Sequence, residues 1–139
     1  MLTRVLFALA LICGTVFAAS AEETKVLALG LADHAVTEEE LAKGDALPVP
    51  RFNSPGVAYA LVAKLQKGDV VEVALVKDGK PLMHNAETLA EDRTSLLLLA
   101  GKGGVPAGGW PEGAYSASVK VSRDGKPIIE QTTPPTSFE

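Results

Sequence analysis

Cysteine is the scarcest chemistry in this chain: one of 139 residues, Cys13, inside an apolar N-terminal run. Beyond that run there is no thiol, which excludes a disulfide, a thiolate metal ligand and a cysteine nucleophile from the rest of the protein. Aromatic residues make up only 5%, with Trp110 the single tryptophan, and histidine occurs twice, as His34 and His84. Positive charge is also short, with 13 Lys and Arg against 17 Asp and Glu and a net charge of −4. No basic run concentrates it. Nucleic acid and anionic lipid, which reward clustered Lys and Arg, are therefore poor candidate partners.

What is present first concerns location. Arg4 precedes "VLFALALICGTVFA", and small residues follow to Ala19-Ser20-Ala21, the layout of a secretory signal peptide. The apolar core falls short of the roughly 20 residues of a spanning helix and runs into Glu22-Glu23. Residues 1–21 are read as the signal peptide, with cleavage expected between Ala21 and Glu22 and a periplasmic or secreted product with no membrane span. Cys13 could suggest lipid attachment, but Ile12 stands where bacterial lipoprotein signals carry a small residue. Residues 22–133 are expected to form one domain, followed by a C-terminal tail at 134–139; a domain of this length buries roughly two-thirds of its unfolded surface.

Along that domain, Leu27, Leu29 and Leu31 repeat at period two within "VLALGLAD", as a half-buried strand requires. In "TEEELAKG", Thr37 is an N-cap, Glu40 completes a capping box and Gly44 is a stop, which predicts one or two helical turns within the 34–56 connection. "DALPVPRFNSPG", with three prolines, reads as extended connection. Val57, Tyr59, Leu61, Ala63 and Leu65 then share one face of a second strand.

Two segments echo one another, "VEVALVKDGKPL" at 71–82 and "ASVKVSRDGKPI" at 117–128. Each alternates and then meets Asp-Gly, the pair best suited to the two positive-φ positions of a type I′ hairpin turn. Pro81 and Pro127 follow at positions whose missing N–H groups would point away from the hairpin partner. Both returning strands are therefore expected at sheet edges, where the neighbouring lysines also discourage unwanted pairing. The expected sheet order is 127–132, 114–122, 70–77, 81–85. Strands at 26–33, 57–65 and 94–100 would form a second sheet, in which the unalternating Leu96 to Leu99 suit a central position. Two such sheets face to face make an all-β sandwich.

In "WPEGAYSASVKVSRDGKPI", Gly113 and Tyr115 open a strand that alternates up to a turn glycine. With this stretch as its centre, the segment from Val57 to Thr133 resembles immunoglobulin-like or fibronectin type III-like domains of bacterial secreted proteins. The resemblance implies a β-sandwich of about seven strands and leaves function open; the paired cysteines and third-strand tryptophan of true immunoglobulin domains are missing.

Chemistry-bearing motifs are few. The loop "AGKGGVPAGGWPEG" has the glycines of a phosphate cradle, but no Ser or Thr follows Gly101-Lys102 and Pro106 forbids a prompt helix. It reads as a long connection. Trp110 and Tyr115 in and after it are the candidate contact residues for a partner, the structural alternative being a corner tyrosine and a cover over the core. The expectation is a non-catalytic binding or accessory module without cofactor, meeting a protein partner in the cell envelope through this loop first, or through the exposed edges at 81–85 or 127–132. The alternatives are a copper-type metal-binding protein using His34, Met83 and His84, and a small hydrolase built on Asp33, His34 and a serine. The latter has no nucleophile-elbow sequence behind it.

Overall fold

A computed structural model describes residues 23–44, 47–102 and 106–139; the signal-peptide assignment at 1–21 lies outside them. Seven strands and one helix follow in chain order: β1 (Lys25–Ala32), α1 (Glu38–Lys43), β2 (Gly56–Leu65), β3 (Val70–Lys77), β4 (Lys80–Thr88), β5 (Arg93–Lys102), β6 (Tyr115–Arg123) and β7 (Lys126–Thr132). All pairings are antiparallel, in a three-stranded sheet β1-β2-β5 and a four-stranded sheet β4-β3-β6-β7. The inner faces meet in one core, with Ala60, Val62 and Leu98 on one side and Val73, Leu75 and Val119 on the other. The chain is an all-β sandwich, with the order of the four-stranded sheet as expected. No helix among the described residues is long and apolar enough to cross a membrane.

The repeat has the physical origin that its letters suggest. Asp78 and Gly79 have φ of 51° and 80°, and Asp124 and Gly125 have 55° and 78°, the double positive φ of type I′ turns. Pro81 stands opposite Val76 and Pro127 opposite Ser122, on edge strands β4 and β7. The ladders show one more device: both slip by a residue just after the proline, leaving Leu82 and Ile128 as bulges. Val73 pairs directly with Val119, the residue at the same place in the second copy. The two hairpins are thus related by an approximate two-fold axis through that pair.

The capping box predicted for α1 is present, with Thr37 Oγ1 accepting from the Glu40 N–H, Glu40 Oε1 accepting from the Thr37 N–H, and Gly44 left-handed at φ 74°. Two expectations are corrected. The leucine run lies on β5, which is an edge strand; β2 is central. Leu96 and Leu98 face the core, while Leu97 and Leu99 lie half-buried on the outer face. The chain after β1 passes over this outer face, and Glu38 accepts a hydrogen bond from Ser95 Oγ at 3.2 Å. Residues 134–139 are not a tail. Thr136 exchanges backbone hydrogen bonds of 2.7 and 2.8 Å with Tyr115, and the buried Phe138 ring stacks on Tyr115 at 4.0 Å.

Candidate functional site

One end of the sandwich gathers the start of β2, the end of β5, the start of β6 and the last residues of the chain. Its floor is aromatic. Trp110 stands edge-on to Tyr115 (centroids 5.9 Å apart) and to Phe138 (5.6 Å). Trp110 Nε1–H donates to the Ser54 carbonyl at 2.7 Å, and the Tyr115 hydroxyl donates back to the Pro111 carbonyl, closing a tyrosine corner. Gly56 lies directly against the indole: a Cβ there would come within 2.9 Å of Trp110 Cζ2. Trp110 is only 4% exposed and Tyr115 wholly buried. The two candidate contact residues are therefore turned inward, where Trp110 covers the core and Tyr115 closes the loop.

What this end offers to solvent is the extended connection laid over Trp110. Phe52 accepts a 2.7 Å backbone hydrogen bond from Trp110 and donates one of 3.4 Å to Glu139, while Arg51 and Ser54 close a turn between them. This fixed backbone holds Val49 and Phe52 outward, 53% and 49% exposed, on either side of Pro50 and Arg51. No ion pair among the described residues involves Arg51. Together with Asn53, Thr136, Ser137 and Glu139 these residues line a hollow of about 630 Å³. The prolines of this segment were legible as extended chain. That Arg51 and Phe52 between Pro50 and Pro55 turn outward is shown by the structure alone. Below it, Asp78 accepts from the Ala114 N–H and from Lys77 Nζ, both at 2.9 Å. The Ala114 bond, ahead of Lys77, holds the Asp78 carboxyl below the usual carboxylate range and ties the β3–β4 turn to this end.

A second hollow, of about 390 Å³, opens on the outer face of the three-stranded sheet between Asp33, His34, Pro55, Val57 and Leu99. His34 is clamped at its rim, with Nδ1 2.8 Å from Asp33 Oδ1 and Nε2 2.7 Å from Glu40 Oε2. Asp33 first, then Glu40, raises the His34 pKa above its ordinary value, and the His34 bond in turn is the main cause of a lowered Glu40 pKa. When protonated, the ring can donate to both carboxylates and so clasps the end of β1 to α1.

The three residues of the copper reading do not converge. His84 lies beside Ala74 on the outer face of the four-stranded sheet, 3.7 Å from Glu72, and Met83 packs from the opposite face against the core. His34 belongs to the other sheet. Among the described residues no group of three or more His, Cys, Asp or Glu could hold a metal ion. Nor does His34 fit the hydrolase reading, since carboxylates occupy both ring nitrogens and neither is directed at a serine. The glycines at 103–104 of the phosphate-cradle motif lie outside the described residues. Comparison of the chain with protein-family models, curated proteins and solved structures gives no match.

Proposed function

We propose that the protein is an exported, non-catalytic binding or accessory module that engages a protein partner in the cell envelope. Contact is made through Val49, Arg51 and Phe52. One observation carries this reading: aromatic, aliphatic and guanidinium side chains project from a strap whose backbone is already fixed by Trp110 and Glu139. Arg and aromatic residues dominate binding hot spots, and a backbone ordered before contact loses little entropy on binding. The leader-like N-terminus supports export to the periplasm or beyond. The finer fold reading, an immunoglobulin-like or fibronectin type III-like domain, has two supports. Read as A-B-E and C′-C-F-G, the strand order suits that class, and Tyr115 forms its corner bond at the start of the sixth strand.

The test is affinity capture from envelope extract with the exported protein as bait, beside Phe52→Ser and Arg51→Glu variants checked to unfold at the wild-type midpoint. The expected result is a discrete partner whose dissociation constant, measured with purified components, rises about tenfold or more for each variant, the scale of a hot-spot loss. A partner held equally by wild type and both variants would place the contact elsewhere, and an empty capture would overturn the module reading.

A further inference from the structure

The four edge strands are protected unequally. β4 and β7 each carry a lysine, a proline and a bulge at their starts, the devices that discourage pairing with another chain. On β5, Asn85 Nδ2 donates to the Leu99 carbonyl at 2.9 Å, and α1 reaches the same strand through Glu38 and Ser95. β1 shares the opening lysine, Lys25, and a bulge at Leu27, but it has no proline, and no backbone hydrogen bond outside its ladder with β2 involves it among the described residues. Its bulge at Leu27 leaves Ala28 to Ala32 in unbroken register, and Leu27 itself is 52% exposed.

That unbroken segment reads Ala-Leu-Gly-Leu-Ala, the same in both directions about Gly30. We infer that the open edge of β1 takes the β1 strand of a second copy, antiparallel, with the two-fold axis at Gly30. Ala28 then meets Ala32, Leu29 meets Leu31 and Gly30 meets itself, so every cross-strand pair is matched in size and polarity, as an isologous interface requires. Leu29 and Leu31 pack toward the sandwich interior, and the pairing extends their cover. Charge selects the direction: Lys25 opens the strand and Asp33 follows it, so an antiparallel copy sets ammonium toward carboxylate at both ends, whereas a parallel copy sets like beside like. The result is one six-stranded sheet, β5-β2-β1 continued by β1-β2-β5 of the second copy. It leaves the Val49–Phe52 surface at the end of each sandwich.

Sedimentation equilibrium of the exported protein tests this. The wild type is expected to dimerise reversibly. Leu27→Lys puts a cation on the open edge, and Lys25→Glu sets carboxylate toward carboxylate; each should weaken dimerisation by about tenfold, with unfolding at low concentration unchanged. A wild type that remains monomeric up to about 1 mM, the weak end of specific association, overturns the proposal. So does a dimer indifferent to both Leu27→Lys and Lys25→Glu.

Discussion

Gly79 and Gly125 occupy the second positive-φ position of their turns, and nothing lies within 4 Å of where a Cβ would stand on either. Any cost of a side chain there is therefore conformational and not steric. Valine resists left-handed φ strongly, while asparagine tolerates it. Gly79→Val and Gly125→Val should each lose about 1–3 kcal/mol of stability, and the asparagine variants much less. Urea unfolding midpoints check this, and valine variants as stable as the asparagine ones would refute the turn assignment. Gly79→Val should also disturb the candidate contact end, because Asp78 exchanges backbone and side-chain hydrogen bonds with Ala114. Gly125 has no such tie to that end, so its loss should be purely one of stability.

At the scale of elements, α1 has only six residues, too few to persist without tertiary support. The imidazolium of His34 supplies part of that support, and both ring nitrogens can donate only while it is protonated. His34 has a raised pKa, so its contribution is complete below the ordinary histidine value and is lost as pH climbs through the raised one. Glu40 has a lowered pKa, so its contribution is complete above the ordinary glutamate value and is lost as pH falls through the lowered one. The clasp is accordingly strongest between roughly pH 4.3 and 6.5. Amide exchange at 38–43, corrected for intrinsic rates, should be slowest in that window and accelerate above the raised His34 value; Glu40→Gln should reduce the acceleration. A pH-independent profile in the wild type would exclude the clasp. The helix itself was legible from Thr37, Glu40 and Gly44, because capping is local chemistry. Its bond to His34 was not, since it depends on the path of the irregular chain at 33–37. Likewise the unalternating leucines of β5 pointed to the wrong place in the sheet: Leu96 and Leu98 face the core, while Leu97 and Leu99 are half-buried on the outer face of an edge strand. The sequence pattern reports that a face is covered and not whether strand or connection covers it. Phe52 was passed over for a related reason: prolines announce extended chain but not which of its side chains turn outward.

At the scale of the whole molecule, the two ends of the sandwich are closed by different chemistry. One end has the Trp110, Tyr115 and Phe138 cluster. The other has an ion pair, in which Arg123 grips the fully buried Asp69 with bonds of 2.9 and 2.8 Å and reaches Thr24 Oγ1 at 2.7 Å. Asp69 Oδ2 also accepts from the Gln66 N–H at 2.8 Å, so the carboxylate and its guanidinium partner together join the β2–β3 turn, the end of β6 and the chain entering β1. This is also where the approximate symmetry of the hairpins breaks: Arg123 stands where the first copy has Lys77, which pairs instead with exposed Asp78. A fork-shaped guanidinium can hold both carboxylate oxygens where a point charge cannot. Arg123 is the main cause of the lowered Asp69 pKa, so the stability that it confers is present above the ordinary aspartate value and is lost as pH falls through the lowered one. Removing one partner leaves the other charge buried without compensation, though Arg123 retains some solvent contact; Asp69→Asn should cost about 2–4 kcal/mol at neutral pH. Urea unfolding of wild type and variant at pH 7 and again near pH 3 separates charge from packing. The gap between the two proteins should narrow in acid, because below the ordinary aspartate value the unfolded chain takes up a proton that Asp69, held ionised by Arg123 in the fold, resists. A gap of equal size at both pH values would mean that Asp69 acts through shape and not through its ionised bond to Arg123.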